Sequence, residues 1–150
     1  MNLEKYPLES KSHTTFEFIS VGPSGRIRKI IVFIQIEEQN NRLYNLCFGD
    51  WDKTSHLPND QIVSNNKDSR KVLATVAAAV LEFTKRFPKA IIYAKGSSES
   101  RTRLYQMQIA SYLTEITNLF QIKGLKNGIW EPFKLGINYE AFLLTRQKSL

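Results

Sequence analysis

An α+β fold, a mainly antiparallel sheet with two helices packed on one face, is what this sequence predicts. Three observations point to it. Segments alternating apolar and other residues fill the first third of the chain and return at its end. Two stretches with apolar residues at spacings of three and four lie between them. Gly, Pro and Asn stand at the junctions where the chain must turn.

Residues 14–20 (TTFEFIS) set Thr14, Phe16 and Phe18 on one face of a strand and Thr15, Glu17 and Ile19 on the other. VGPSG at 21–25 is a turn. The run 26–36 (RIRKIIVFIQI) is a long strand with Ile31 and Phe33 on one face and Ile30, Val32 and Ile34 on the other. Apolar residues on both faces mark a central or helix-covered strand. EEQNN at 37–41 turns the chain again, and RLYNLCFGDW completes an antiparallel meander. Residues 52–67 are polar and read as a loop.

Val72, Leu73, Val76, Ala79, Val80, Phe83 and Phe87 then define a helix over 68–87, with Asp68 or Ser69 near its start and Pro88 at its end. Ala77, Ala78 and Ala79 keep part of it thin enough for close packing. AIIYAK at 90–95 is a short buried strand, and GSSES is a tight connection. A second helix spans about 99–121, with Leu104, Tyr105, Ile109, Tyr112, Leu113, Ile116 and Phe120 as its apolar set. KGLKNG at 123–128 is a turn, and IWEPFKL and YEAFLLTR form a closing pair of strands, the first weakened by Pro132. The order is β-β-β-α-β-α-β-β, and residues 1–150 read as one α+β domain without repeat or linker.

With 150 residues the chain buries a core without staples. Apolar residues at 42% and charged residues at 23% exclude a disordered, collagenous or coiled-coil chain. Cys47 is alone, so no intramolecular disulfide and no thiolate zinc cluster is possible. His13 and His56 fit no metal-ligand spacing, and no metal or cofactor is expected. The opening MNLEKYPLESK has no apolar core of a signal peptide. The longest apolar run, Val76 to Leu81, falls far short of the roughly 20 residues of a membrane span. A soluble, cytoplasmic protein is expected.

The formal net charge is +7, and it is uneven. Residues 1–66 carry seven basic and eight acidic side chains, a net of −1, and residues 67–150 carry fourteen and six, a net of +8. Such imbalance bears on partners and on-rates, and not on fold. It suits nucleic acid, a phosphorylated ligand or an acidic protein, although no run of basic residues exceeds two, as in an ordinary solubilised surface.

One stretch combines anion chemistry with a suitable frame. Lys95 to Tyr105 (KGSSESRTRLY) leaves a buried strand and enters a helix. A first helical turn presents N–H groups without intrahelical partners, at the positive end of the dipole, and anions bind there. Gly96 permits a turn or close approach to a ligand; Ser97, Ser98 and Ser100 cap the helix or donate to phosphate; Arg101 and Arg103 add planar bidentate donors. Ser98 or Ser100 is equally what any helix cap looks like. Basic residues in a first turn oppose the dipole, however, and Glu99 only partly compensates. The stretch matches neither a Walker loop nor a GxGxxG fingerprint.

The strand–GSSESRTRLY–helix segment, the FGDW strand end and the length resemble a family of small uncharacterised bacterial proteins, found mainly in Bacteroidota and described as a domain of unknown function. The resemblance implies a single α+β domain and a cytoplasmic bacterial origin. It brings no activity and no catalytic residue.

Other candidates are weaker. Asp50 and Asp52 flank Trp51 with His56 four residues on, a set suited to Mg²⁺ and a general base but also to a strand end and an Asx turn. Cys47 is a packing residue between apolar neighbours. Trp51, Trp130, Tyr105 and Tyr139 suit base stacking or a half-buried core. Three functions follow: an anion-binding module for nucleic acid or a phosphorylated ligand; a protein-interaction subunit, for instance a homodimer; and a small nuclease or toxin-type enzyme that brings Asp50, Asp52 or His56 beside Arg101.

Overall fold

The computed structural model describes residues 4–36, 42–59 and 66–147. Nine strands and three helices follow in the order β1 (Glu9–Ser10), β2 (Thr15–Gly22), β3 (Gly25–Gln35), β4 (Leu43–Trp51), β5 (Pro58–Asn59), α1 (Ser69–Arg86), β6 (Ile91–Ala94), α2 (Glu99–Ser111), α3 (Leu113–Leu119), β7 (Phe120–Lys126), β8 (Ile129–Pro132) and β9 (Ala141–Arg146). The α+β class stands: β1 with β2, β2 with β3, β4 with β5, β6 with β9, and β7 with both β8 and β9 pair antiparallel, whereas β4 pairs with β6 in parallel. Parallel neighbours need a long crossover, and the chain between these two contains α1. The turn expected at 37–41 lies outside the described residues.

Two compact units interleave in sequence: residues 2–34 with 46–86, and residues 35–45 with 87–150. In the first, β2 and β3 pair over their full length, Phe16 opposite Ile31 and Gly22 opposite Gly25. Directly opposed residues share a face, so Phe16, Phe18, Ser20, Ile31 and Lys29 look the same way. α1 packs on that side, where the Phe33 and Phe83 rings stack with centroids 4.1 Å apart. The small residues Ala74 and Ala79 are buried along the same helix, which lets it sit close to the strands.

In the second unit the strand order is β6-β9-β7-β8, with the first residues of β4 beside β6. Ile92, Leu144 and Ile122 form one cross-strand row on the inner face, and Ala94, Phe142 and Gly124 form the next. The Tyr139 ring lies on Gly124; a Cβ there would come within 2.3 Å of it. Gln106 ties α2 to the segment carrying that ring: its amide oxygen accepts from the Tyr139 N–H at 2.9 Å and its nitrogen donates to the Ile137 carbonyl.

Two expectations about this unit are corrected. The second helix does not run through to residue 121: it breaks at Tyr112 (φ −120°), α3 follows, and Phe120 already opens a strand. The described residues therefore form three helices. KGLKNG is not a turn as a whole, because Phe120–Lys126 alternates buried and exposed as β7. Only Asn127 and Gly128, at φ 53° and 77°, turn the chain, the left-handed pair of a tight hairpin. The closing strands thus number three. The loop read at 52–67 likewise contains the short β5.

Candidate functional site

The start of α2 is built by its own hydroxyls. Ser98 takes an extended conformation and its Oγ accepts the Arg101 N–H at 3.2 Å, the N-cap bond that a first-turn donor needs. Its carbonyl accepts both the Thr102 N–H and the Thr102 hydroxyl. Thr102 Oγ1 in turn accepts the Gly96 N–H at 3.0 Å. Gly96 is buried under this turn, and a Cβ on it would lie 2.5 Å from the Thr102 nitrogen. Its lack of a side chain is thus used by the helix start closing on the strand end, and not by a ligand's approach.

The outward side is different. Ser97, Ser98, Glu99, Ser100 and Arg103 are exposed, and Arg101 is half-buried. The Arg101 guanidinium donates to the exposed Ser97 Oγ at 3.1 Å, which ties the cation to the loop. One helix start therefore presents serine hydroxyls, two guanidiniums and the positive end of the dipole, with Glu99 as the opposing charge. Phosphate is the chemistry such a set holds best.

Asp50 and Asp52 are engaged separately. Asp50 is buried in an ion pair with Lys29. Asp52 closes a turn: its carboxylate accepts the Thr54 N–H at 2.8 Å and the Asn59 amide at 3.3 Å. His56 ends that turn in a left-handed conformation with its ring edge-on to Trp51. All three belong to the unit of β2, β3 and α1, whereas Arg101 and Arg103 belong to the other. Among the described residues no group of three or more His, Cys, Asp or Glu is arranged to hold a metal ion.

Trp51 lies under the Arg28 guanidinium, 4.0 Å from the ring centroid, and Arg28 also forms a two-pronged bond with Glu17. That bond holds the Glu17 carboxyl below its ordinary pKa. A groove of about 400 Å³ runs beside these residues, lined by Leu8, Ile19 and Val21 with Glu9, Glu17 and Arg26. Two carboxylates to one guanidinium make it a poor match for an anion. Trp130 meets Tyr93 edge-to-face at 6.2 Å, Tyr139 is buried, and Cys47 is half-buried in β4.

One hub escaped the sequence reading. Asp68 Oδ2 accepts the hydroxyls of Tyr6 and Ser20, each at 2.6 Å, while the Asp68 carbonyl accepts the Val72 N–H at the start of α1. Asn66 donates to Ser20 Oγ and to the Gly25 carbonyl, and accepts the Ser24 N–H. Tyr6 also stacks on Phe18, and its N–H donates to Thr75 Oγ1. Burial first, and then the bond to Asp68, raise the Tyr6 hydroxyl pKa. A lone Tyr and Ser far upstream of Asp68 give no local signal of this partnership.

Residues 2–147 match the model of a family of unknown function, DUF6934. The chain belongs to that family. The match spans both units and includes the whole α2 start. No curated protein and no solved structure matches the chain. No helix among the described residues is long and apolar enough to cross a membrane.

Proposed function

We propose that this DUF6934 chain is an anion-binding module, a single cytoplasmic domain of bacterial origin that takes nucleic acid or a phosphorylated ligand at the start of α2. The observation that carries the proposal is the Arg101 guanidinium held on Ser97 Oγ beside the exposed Ser98, Ser100 and Arg103. A cation fixed in this way loses little side-chain freedom when a phosphate arrives. Ser98 and Thr102 keep the first turn in shape, with Gly96 beneath them. The net +8 of residues 67–150 supports a polyanion in particular.

The test is fluorescence anisotropy of labelled single-stranded RNA, single-stranded DNA and duplex DNA at several salt concentrations, with wild type against the Arg101→Ala, Arg103→Ala double variant. Binding that weakens steeply with salt is expected, and removing two phosphate contacts should flatten the log–log slope by about 1.4 (single strand) to 1.8 (duplex). Absence of binding at low salt, or an unchanged slope in the double variant, contradicts the assignment.

A second reading is a protein-interaction or homo-oligomeric subunit. Leu104 and Met107, one turn apart on α2, are 43% and 59% exposed, and that supports it. Sedimentation at increasing concentration distinguishes the two. The nuclease reading draws on Asp50, Asp52 and His56, and no observation at those residues favours it.

A further inference from the structure

The strands of the second unit have an outer face as well as the inner one covered by Tyr139. Outward positions follow from the register: Ile91 and Tyr93 on β6, Leu143 and Thr145 on β9, Gln121 and Lys123 on β7, Trp130 and Pro132 on β8, with Leu125 and the fully buried Ala141 in the Trp130 row. Ile91, Tyr93, Leu143, Thr145 and Trp130 are all half-buried, and Gln121 and Lys123 are exposed. No outward position on these four strands carries a carboxylate, and Lys123 supplies a cation. Lys95, exposed and two residues beyond Tyr93, continues the outward alternation. Tyr93 and Trp130 stand edge-to-face at 6.2 Å over this surface.

We infer that the outer face of β6, β9, β7 and β8 is a stacking platform for single-stranded nucleic acid, with Tyr93 and Trp130 taking bases and Lys95 and Lys123 taking the backbone. Flat π-faces accept any unpaired base, and lysines without competing carboxylates accept phosphate. Duplex bases are already stacked, so the platform discriminates against duplex. An apolar protein partner fits less well, because exposed Gln121 and Lys123 interrupt the apolar positions. The inference rests on the nucleic-acid form of the proposed function but not on Arg101 and Arg103, which belong to a different element.

The chain has two tryptophans, so Trp51→Phe leaves Trp130 as the sole indole and keeps a ring under Arg28. Titrating this variant with oligouridylate should quench the Trp130 emission saturably, in step with anisotropy. Lys123→Glu in the same background should weaken binding on the order of tenfold, and Trp130→Leu on the order of ten- to a hundredfold. Quenching should survive in the Arg101→Ala, Arg103→Ala variant even where affinity falls. Photocrosslinking of wild-type protein to 4-thiouridine RNA should label peptides containing Tyr93 or Trp130, a measurement that needs no variant to fold. Binding with unchanged Trp130 emission and crosslinks elsewhere overturns the platform while leaving the α2 site standing. Absence of any single-strand binding at low salt overturns both.

Discussion

Asp68→Ala should be among the most damaging single changes in the unit of β2, β3 and α1. The carboxylate accepts two hydroxyl bonds of 2.6 Å, from Tyr6 and from Ser20, which is 0% exposed. Hydrogen bonds to a charged group contribute about 1.5–3 kcal/mol each. Ser20 would keep only its acceptor bond from Asn66, whereas the Tyr6 hydroxyl still reaches the Val21 carbonyl at 3.2 Å. The Ser20 side therefore takes the larger loss. A negative charge lost at a helix start adds about 0.5 kcal/mol, and with the Tyr6 bond partly replaced by the one to Val21 the total lies toward the low end of about 3.5–6.5 kcal/mol of unfolding free energy.

Urea denaturation followed by circular dichroism measures this loss, and a double-mutant cycle assigns it. Tyr6→Phe keeps the stack on Phe18 and removes one hydroxyl, so it should cost about 1–1.5 kcal/mol alone. If the two side chains act through one bond, Asp68→Ala in the Tyr6→Phe background should cost about 1–2 kcal/mol less than in wild type. A loss below about 1 kcal/mol for Asp68→Ala, or strict additivity with Tyr6→Phe, would refute the hub.

Gly124→Ala drives a methyl into the Tyr139 ring, whose hydroxyl accepts the Lys134 N–H and donates to Glu131 while Gln106 holds the Tyr139 backbone N–H, and should destabilise by about 2–3 kcal/mol in the same assay. Lys29→Met removes the ammonium from Asp50, whose side chain is 12% exposed, and should cost about 3 kcal/mol, with part recovered in Lys29→Met, Asp50→Leu. Burial raises the hydroxyl pKa of both Tyr6 and Tyr139, so each neutral hydroxyl stabilises the fold fully below about pH 10. That stabilisation is lost as pH rises through the folded-state values; stability measured across this range should fall less in a Tyr6→Phe, Tyr139→Phe variant.

The parts of the fold legible in the sequence are those whose cause is local. Alternation in TFEFIS and the three-and-four spacing from Val72 to Phe83 arise within single elements, and β2 and α1 lie where those patterns put them. β7 is not legible in the sequence although Phe120, Ile122 and Gly124 alternate with exposed residues, because Gly124 reads as a turn residue unless Tyr139 is placed on it. The hairpin signal lies in Asn127–Gly128, while the neighbouring Lys and Gly residues of KGLKNG extend the apparent turn to six residues. Nothing in residues 108–114 marks the break at Tyr112: neither Gly nor Pro occurs there. At the α2 start the serine cap was legible, whereas the reason for Gly96 depends on Thr102 folding back against it.

The most direct test of the anion-binding account is a ¹⁵N-resolved NMR titration of the full chain with inorganic phosphate and then with a short oligouridylate. The account predicts saturable shifts at the backbone amides of Ser97 to Arg103, at the Arg101 side chain, and weakly or not at all at Asp52 to Leu57. Saturable binding with the Ser97–Arg103 amides unmoved, or no shift anywhere at low salt, would contradict it.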